Sequence, residues 1–280
     1  MNILLTGSGG YIGSNLKPAF EAEHVLFAPR SFELDLTNTA SVKKYFDDKN
    51  IDVIVHCSSV GGVREKIDSP ETVELNLLMV ENLLESKSNS CKFITFGSGA
   101  MYGKCRNLHR VSEEQIGDFE PVDLYGKSKL LIAKKINQRR DALCLNIFGC
   151  YGYNEKTSRF PTYAILQNFR KEPIEINQNV IFDYLWVEDL QIIVNYFISN
   201  WPVENIINIT PDDSISLTEI AEIVNSISSF KSLITLKQAG FNNEYTGTNK
   251  ILKKNYPNLV FTSYSEGLRK LFTHIRKTLY

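Results

Sequence analysis

The sequence predicts an α/β fold: a doubly wound parallel sheet with a smaller α+β lobe in the C-terminal part. Three observations predict it. The chain opens with a short apolar run, Ile3–Leu5, that passes straight into Thr6-Gly7-Ser8-Gly9-Gly10-Tyr11-Ile12-Gly13 and then a helical pattern. Continuous apolar runs alternate with helical patterns as far as about residue 150. Beyond that point loops, short strands and amphipathic helices replace the alternation.

Taken in order, the apolar runs are 3–5, HVLFA (24–28), FELDL (32–36), DVIVHC (52–57), CKFITFGS (91–98) and ALCLNIFG (142–149). They show little alternation, as expected of parallel strands covered on both faces. Helical patterns lie between them at 11–22, 39–49, 70–86 and 124–139. Repeated strand–helix–strand units of this kind make a Rossmann-type domain, here 1–150, with a return segment near 180–200. Ser69 reads as the N-cap of the helix at 70 and Pro70 as its first residue, where the missing N–H is harmless. Pro18 lies too deep in the first helix for that, which predicts a kink or an early end. In the lobe at 151–280, ILQNFRKE (165–172) predicts a helix and DYLWVEDLQIIVNYFISN (183–200) a short strand entering an apolar helix. Ser216–Glu219 and Ser263–Glu266 both have the capping-box spacing.

Composition narrows the function. Of 280 residues 43% are hydrophobic and 22% charged, an ordinary globular balance. The net charge of -1 gives no field favouring nucleic acid or anionic lipid. No apolar run approaches the ~20 residues of a membrane span. An apolar strand at Met1 leaves no room for a signal peptide, so a cytoplasmic protein is expected. The five cysteines show no metal-ligand spacing and read as small buried hydrophobes; no metal is expected.

The glycine-rich turn carries the first chemistry. Glycines allow positive φ and close backbone approach, and a helix start offers free N–H donors and positive potential. A dinucleotide pyrophosphate over Gly7, Gly10 and Gly13 follows. Tyr125-Gly126-Lys127-Ser128-Lys129 carries the second. Residues 125 and 129 share a helix face, and an ammonium beside a phenol favours the phenolate, making Tyr125 a general acid/base candidate. Alone, this pair is more often a solvated surface feature. Ser98 ends a strand, where α/β sheets place their sites, and can hold a substrate oxygen. The combination of glycine loop, strand-end serine and Tyr-x-x-x-Lys is the specific signal.

TGSGGYIG, FGSGAMYG and YGKSK, in this order, resemble the extended short-chain dehydrogenase/reductase family of nucleotide-sugar epimerases, dehydratases and reductases. HCSS (56–59), Asn76, NIFG (146–149) and DYLWVEDL add to the likeness, which spans residues 1 to about 200. The resemblance implies a catalytic triad of Ser98, Tyr125 and Lys129, with Lys129 also holding the nicotinamide ribose. It implies cofactor contacts from Tyr11, Ile12, Asp35, Leu36 and the backbone of Cys57, Ser58 and Ser59, and a substrate contact from Asn146. It also implies a homodimer through helices 70–86 and 124–139.

Departures from the family pattern narrow the reaction. Gly99 and Ala100 stand where dehydratases of the family carry an Asp-Glu pair. The spacing most resembles ketoreductases of the GDP-fucose synthase and dTDP-4-dehydrorhamnose reductase types. Ala100 replaces the epimerising Cys of the former, and no His stands near Ser158-Arg159. Phe182 occupies the place of a customary Arg, so Arg159 and Arg170 become candidates for the substrate diphosphate. The expected activity is NAD(P)H-dependent reduction of a 4-keto sugar nucleotide. The alternatives are an NAD-dependent 4-epimerase and a non-catalytic dinucleotide-sensing regulator. NADP(H) is expected over NAD(H): no carboxylate ends the strand HVLFA, and Arg30 can pair with a 2′-phosphate.

Overall fold

The computed structural model describes residues 1–62 and 67–279. Its centre is a six-stranded, all-parallel sheet. The strands are β1 (Asn2–Thr6), β2 (Val25–Phe27), β3 (Val53–His56), β4 (Lys92–Ser98), β5 (Ala142–Ile147) and β6 (Ile206–Asn208). Their spatial order is β6-β5-β4-β3-β1-β2, so the winding reverses between β1 and β3. Such a reversal opens a crevice at the carboxyl ends of those strands.

Side-chain alternation divides two cores. Leu4, Ile54, Phe93 and Cys144 point to one face, under α2 (Thr39–Asp47), α3 (Thr72–Ser86) and α4 (Leu124–Ile136). Ile3, Leu5, Val53, Val55, Ile94 and Leu145 point to the other, under α1 (Tyr11–Glu23) and α6 (Val187–Ser199). Both faces are covered, which is why the runs read as continuously apolar. A third core lies in the lobe, where α5 (Phe160–Phe169), α7 (Leu217–Ile227) and α9 (Tyr264–Leu279) close over Tyr151, Trp186 and Ile220. The returning chain goes further than the 180–200 segment: β6 pairs with β5, and Leu252 of α8 (Lys250–Asn255) packs into the core beneath.

Four local expectations are corrected. FELDL is no strand: Glu33 and Leu34 donate to the Arg30 carbonyl at 2.9 and 3.0 Å, forming a turn that buries Leu34 and Leu36 and leaves Phe32 exposed. The helix expected at 70 begins at Thr72, whose N–H donates to the Ser69 carbonyl. Ser69 and Pro70 therefore belong to the preceding turn. Pro18 does not end α1, which runs to Glu23 with Leu16 and Phe20 fully buried either side of it. The helix expected at 165 starts at Phe160, with Pro161 in its first turn, and stops at Phe169. The Ser216–Glu219 box forms in full. At the other, Ser263 accepts from the Glu266 N–H, while the Glu266 carboxylate lies 3.4 Å from Lys270.

Candidate active site

The glycine loop sits at the β1/β3 crevice. Gly7 has φ +69°, and a Cβ there would lie 2.6 Å from the Ser58 nitrogen. A Cβ on Gly13 would lie 2.3 Å from the Gly7 carbonyl oxygen. Both positions therefore require glycine, and the Cys57–Ser58 backbone closes against the loop. A cavity of about 380 Å³ opens over this cradle, lined among others by Gly7, Gly10, Arg30, Asp35 and Ser59. The start of α1, which no side chain caps, fits a pyrophosphate there, and the remaining space fits an adenosine.

The individual cofactor candidates take different positions. The Arg30 guanidinium lies across the loop, 2.7 Å from where a Gly9 Cβ would be. Glu33 is occupied, accepting from the Arg30 backbone N–H at 2.6 Å. Asp35 accepts from the hydroxyl and N–H of Thr37, which lowers its pKa and keeps it ionised on the cavity wall. Leu36 is buried but lines the cavity. Ile12 packs on the core, so only its backbone is left for the loop. The Tyr11 phenol turns inward, 3.9 Å from Cys150 Sγ, and burial raises its pKa well above the ordinary value.

Ser98 ends β4 and caps the short 3₁₀ turn Gly99–Tyr102, its Oγ accepting from the Ala100 N–H at 3.2 Å. Helix α4 starts beside it: Asp123 caps the helix by accepting from Gly126 N–H at 2.9 Å. Gly126 packs so closely that a Cβ would lie 2.7 Å from the Ala100 carbonyl oxygen. Lys129 is 6% exposed, and its ammonium donates to the Phe96 carbonyl at 2.8 Å, 5.4 Å from the Tyr125 ring centre. Burial and the Lys129 charge together hold His56 down at about 3, so the imidazole below is neutral. Ser98 and the Lys129 ammonium thus share the carboxyl end of β4, and α4, which carries Tyr125, packs on the turn after Ser98.

Several residues beyond the expected triad build this site. Asp68 accepts from Gly62 N–H and Tyr125 N–H, tying the loop after β3 to α4, and Gly62 (φ +69°) lies against the Tyr125 ring. Asn76, a secondary match in the sequence, clasps Val60 through its N–H and its carbonyl and donates to Ser128 Oγ. Tyr245 arrives from the distant strand Tyr245–Gly247, and its hydroxyl overhangs Gly99, the residue after Ser98. Phe182, the departure from the family pattern, packs on the Tyr245 ring at 5.7 Å. Asp123 had a signal, being a capping residue before a helix; Tyr245 had none.

Of the substrate candidates, Arg159 lies within electrostatic reach of Tyr245, the residue over the turn after Ser98. It is exposed at the N-terminus of α5 and interacts electrostatically with Tyr11, Cys150, Glu155 and Tyr245. Asn146 and Arg170 are corrected. Asn146 is fully buried, with its amide donating to Asn208 Oδ1 at 3.0 Å and its own oxygen accepting from the Cys144 thiol. It faces inward because a Cβ-less Gly97 beside it leaves room for its side chain. Arg170 lies at the opposite end of α5 from Arg159, about 16 Å away along the helix axis. One diphosphate does not bridge that span. A larger cavity, about 670 Å³, opens between the 211–215 loop, α7 and the start of α9. Asp212, Asp213, Glu219 and Glu222 line it and oppose an anionic ligand, and none of the triad reaches it. Among the described residues no cluster of ligands for a metal ion occurs, and no helix is long and apolar enough to cross a membrane.

Residues 3–210 match the family described as the NAD dependent epimerase/dehydratase family. The chain is 27% identical to GDP-L-colitose synthase of Yersinia pseudotuberculosis over 82% of its own length and 83% of that protein. It is 28% identical to GDP-6-deoxy-D-talose 4-dehydrogenase of Aggregatibacter actinomycetemcomitans, over 81% and 80% of the two chains. In fold it resembles the GDP-mannoheptose C4 reductase of Campylobacter jejuni, solved with NADP bound. The TM-score is 0.85 at 16% identity, over 98% of each chain.

Proposed function

The chain belongs to the NAD dependent epimerase/dehydratase family, and from that premise we propose that it reduces the 4-keto group of a sugar nucleotide with NADPH. The observation that supports the reading is that α4, carrying Tyr125 and Lys129, packs on the turn after Ser98 at the end of β4, with a glycine cradle that fits a dinucleotide in the same sheet's crevice. When bound there, a reduced nicotinamide supplies the hydride that adds to the keto carbon. The residues of the chain handle the oxygen. Ser98 donates a hydrogen bond to the carbonyl, polarising it and holding the alkoxide that forms. Tyr125 gives its proton to that alkoxide. Lys129, anchored on the Phe96 carbonyl, places a positive charge near the phenolate left behind. Arg159 faces the substrate diphosphate from the rim.

The turn after Ser98 favours reduction over dehydration. Gly99 and Ala100 supply no acid or base for water elimination, and Ala100 is buried. Both similar relatives carry GDP sugars in their names, so GDP is the nucleotide to test first. The test is NADPH consumption with a GDP-linked 4-keto-6-deoxyhexose, with UDP- and dTDP-linked analogues beside it. Turnover of the keto sugar by the wild type, absent with the corresponding alcohol, is the expected result. Retention of NAD and interconversion of hexose epimers without net NADPH loss would replace reduction by epimerisation.

A further inference from the structure

A second phenol stands at the reacting serine. Tyr245 comes from the lobe half of the chain, yet its hydroxyl overhangs the turn after β4: a Cβ on Gly99 would lie 2.8 Å from Tyr245 Oη. The ring is fixed edge-on to Phe148 at 5.5 Å and against Phe182 at 5.7 Å. The strand is fixed as well. Asp183 accepts from the Gly247 N–H at 2.8 Å and from the Ser214 hydroxyl, and Tyr245 registers with Leu108 and Phe182 on either side. The Tyr245 hydroxyl thus stands over the turn that Ser98 caps.

A serine hydroxyl has one proton to give and two positions at which to accept. The Ala100 N–H fills the first acceptor position of Ser98 Oγ at 3.2 Å. We propose that Tyr245 is a positioning residue whose hydroxyl donates to the second, so that the Ser98 proton is left to point at the substrate oxygen. Without this bond the serine rotor has other choices, and the carbonyl loses its aligned donor. Tyr245 suits the part. Burial above all, with the nearby Tyr125 adding to it, raises its pKa far above the ordinary phenol value. It therefore stays a donor while Tyr125 releases its proton, and the two tyrosines divide the work.

The inference rests on the ketoreductase reading, and two measurements separate the fates of the two. The first is a double-mutant cycle with a GDP-linked 4-keto-6-deoxyhexose and NADPH. Tyr245→Phe keeps the ring and its packing. We expect kcat to fall on the order of tenfold, with KM and NADPH affinity unchanged. In a Ser98→Ala background the same change has no further effect, because the bond it removes is already gone. An unchanged kcat, as when Ser98 instead donates to Tyr245, overturns the proposal. So does an equal loss with and without Ser98. The second needs no turnover. With tyrosine ¹³C-labelled at Cζ, the Tyr245 resonance, identified by its loss in Tyr245→Phe, shifts in Ser98→Ala. No shift overturns the contact. If the wild type fails to turn over any keto sugar nucleotide, the ketoreductase reading falls, and the resonance alone decides whether the hydroxyls are paired. The same resonance decides it if Tyr245→Phe does not fold, the peak then being assigned through Phe182→Leu.

Discussion

Arg30 lies across the glycine loop against Gly9, its Nη1 2.7 Å from where a Cβ on Gly9 would be. This places a guanidinium beside the crevice, while the nearby carboxylate of Glu33 is held on the Arg30 backbone N–H. A cation with two parallel donors favours a 2′-phosphate over bare ribose hydroxyls. We expect NADPH to be preferred over NADH. Arg30→Ala raises KM for NADPH roughly tenfold or more and leaves that for NADH nearly unchanged. Steady-state titrations with both cofactors check this; an unaltered ratio removes the role from Arg30.

Tyr125→Phe keeps the ring that packs on Gly62 and the backbone bond to Asp68, so folding and cofactor binding survive. Turnover falls on the order of a hundredfold or more, the usual contribution of a positioned proton donor. Near-wild-type turnover would remove Tyr125 from the reaction.

Arg159 and Arg170 cap opposite ends of one helix and are expected to behave differently. Arg159→Ala raises KM for the sugar nucleotide about tenfold, as the loss of a charge-assisted bond does. Arg170→Ala, at the far end and beside Gln167, leaves the kinetics alone. Equal effects from both would show that the diphosphate lies elsewhere.

Glu155 makes stability depend on pH. One carboxyl oxygen accepts from the Thr162 hydroxyl; the other is buried with no partner. Burial raises its pKa from 4.5 to about 8. Between those values the folded chain binds a proton that the unfolded chain has released. Stability from this group is therefore full below pH 4.5 and is lost as pH rises toward 8. Glu155→Gln removes the titration and flattens the profile. At pH 8 its Tm exceeds the wild type by a few degrees, since ~1 kcal/mol moves Tm ~2–4 °C in a chain of this size. Parallel wild-type and variant melting curves from pH 5 to about 8 would sink the assignment.

A homodimer is expected through α3 and α4. These helices lie side by side on one face of the sheet, with Val73, Leu77, Leu78 and Leu131 only half-buried in the single chain. Covering them extends an apolar face already begun. Light scattering at micromolar concentration is expected to give twice the chain mass; a monomeric mass would refute it.

The sequence by itself determined the sheet, the glycine cradle and the Tyr125–Lys129 pair, because each is local. A strand buried on both faces reads as an apolar run, a tight loop demands glycine at Gly7 and Gly13, and helical spacing alone puts positions 125 and 129 on one face. The FELDL turn differs from the run's strand preference because burial of Leu34 and Leu36 outweighs it, and the Ser69–Pro70 boundary differs because the Thr72 N–H closes a turn on the Ser69 carbonyl. Only the tertiary structure decided what meets across long chain distances. It sent Asn146 inward to Asn208, parted Arg159 from Arg170 by the length of a helix, and carried Tyr245 to Ser98. No periodicity records such meetings, because they depend on how the lobe's strands dock against the sheet, and docking is set by packing summed over many residues rather than by any short run of them.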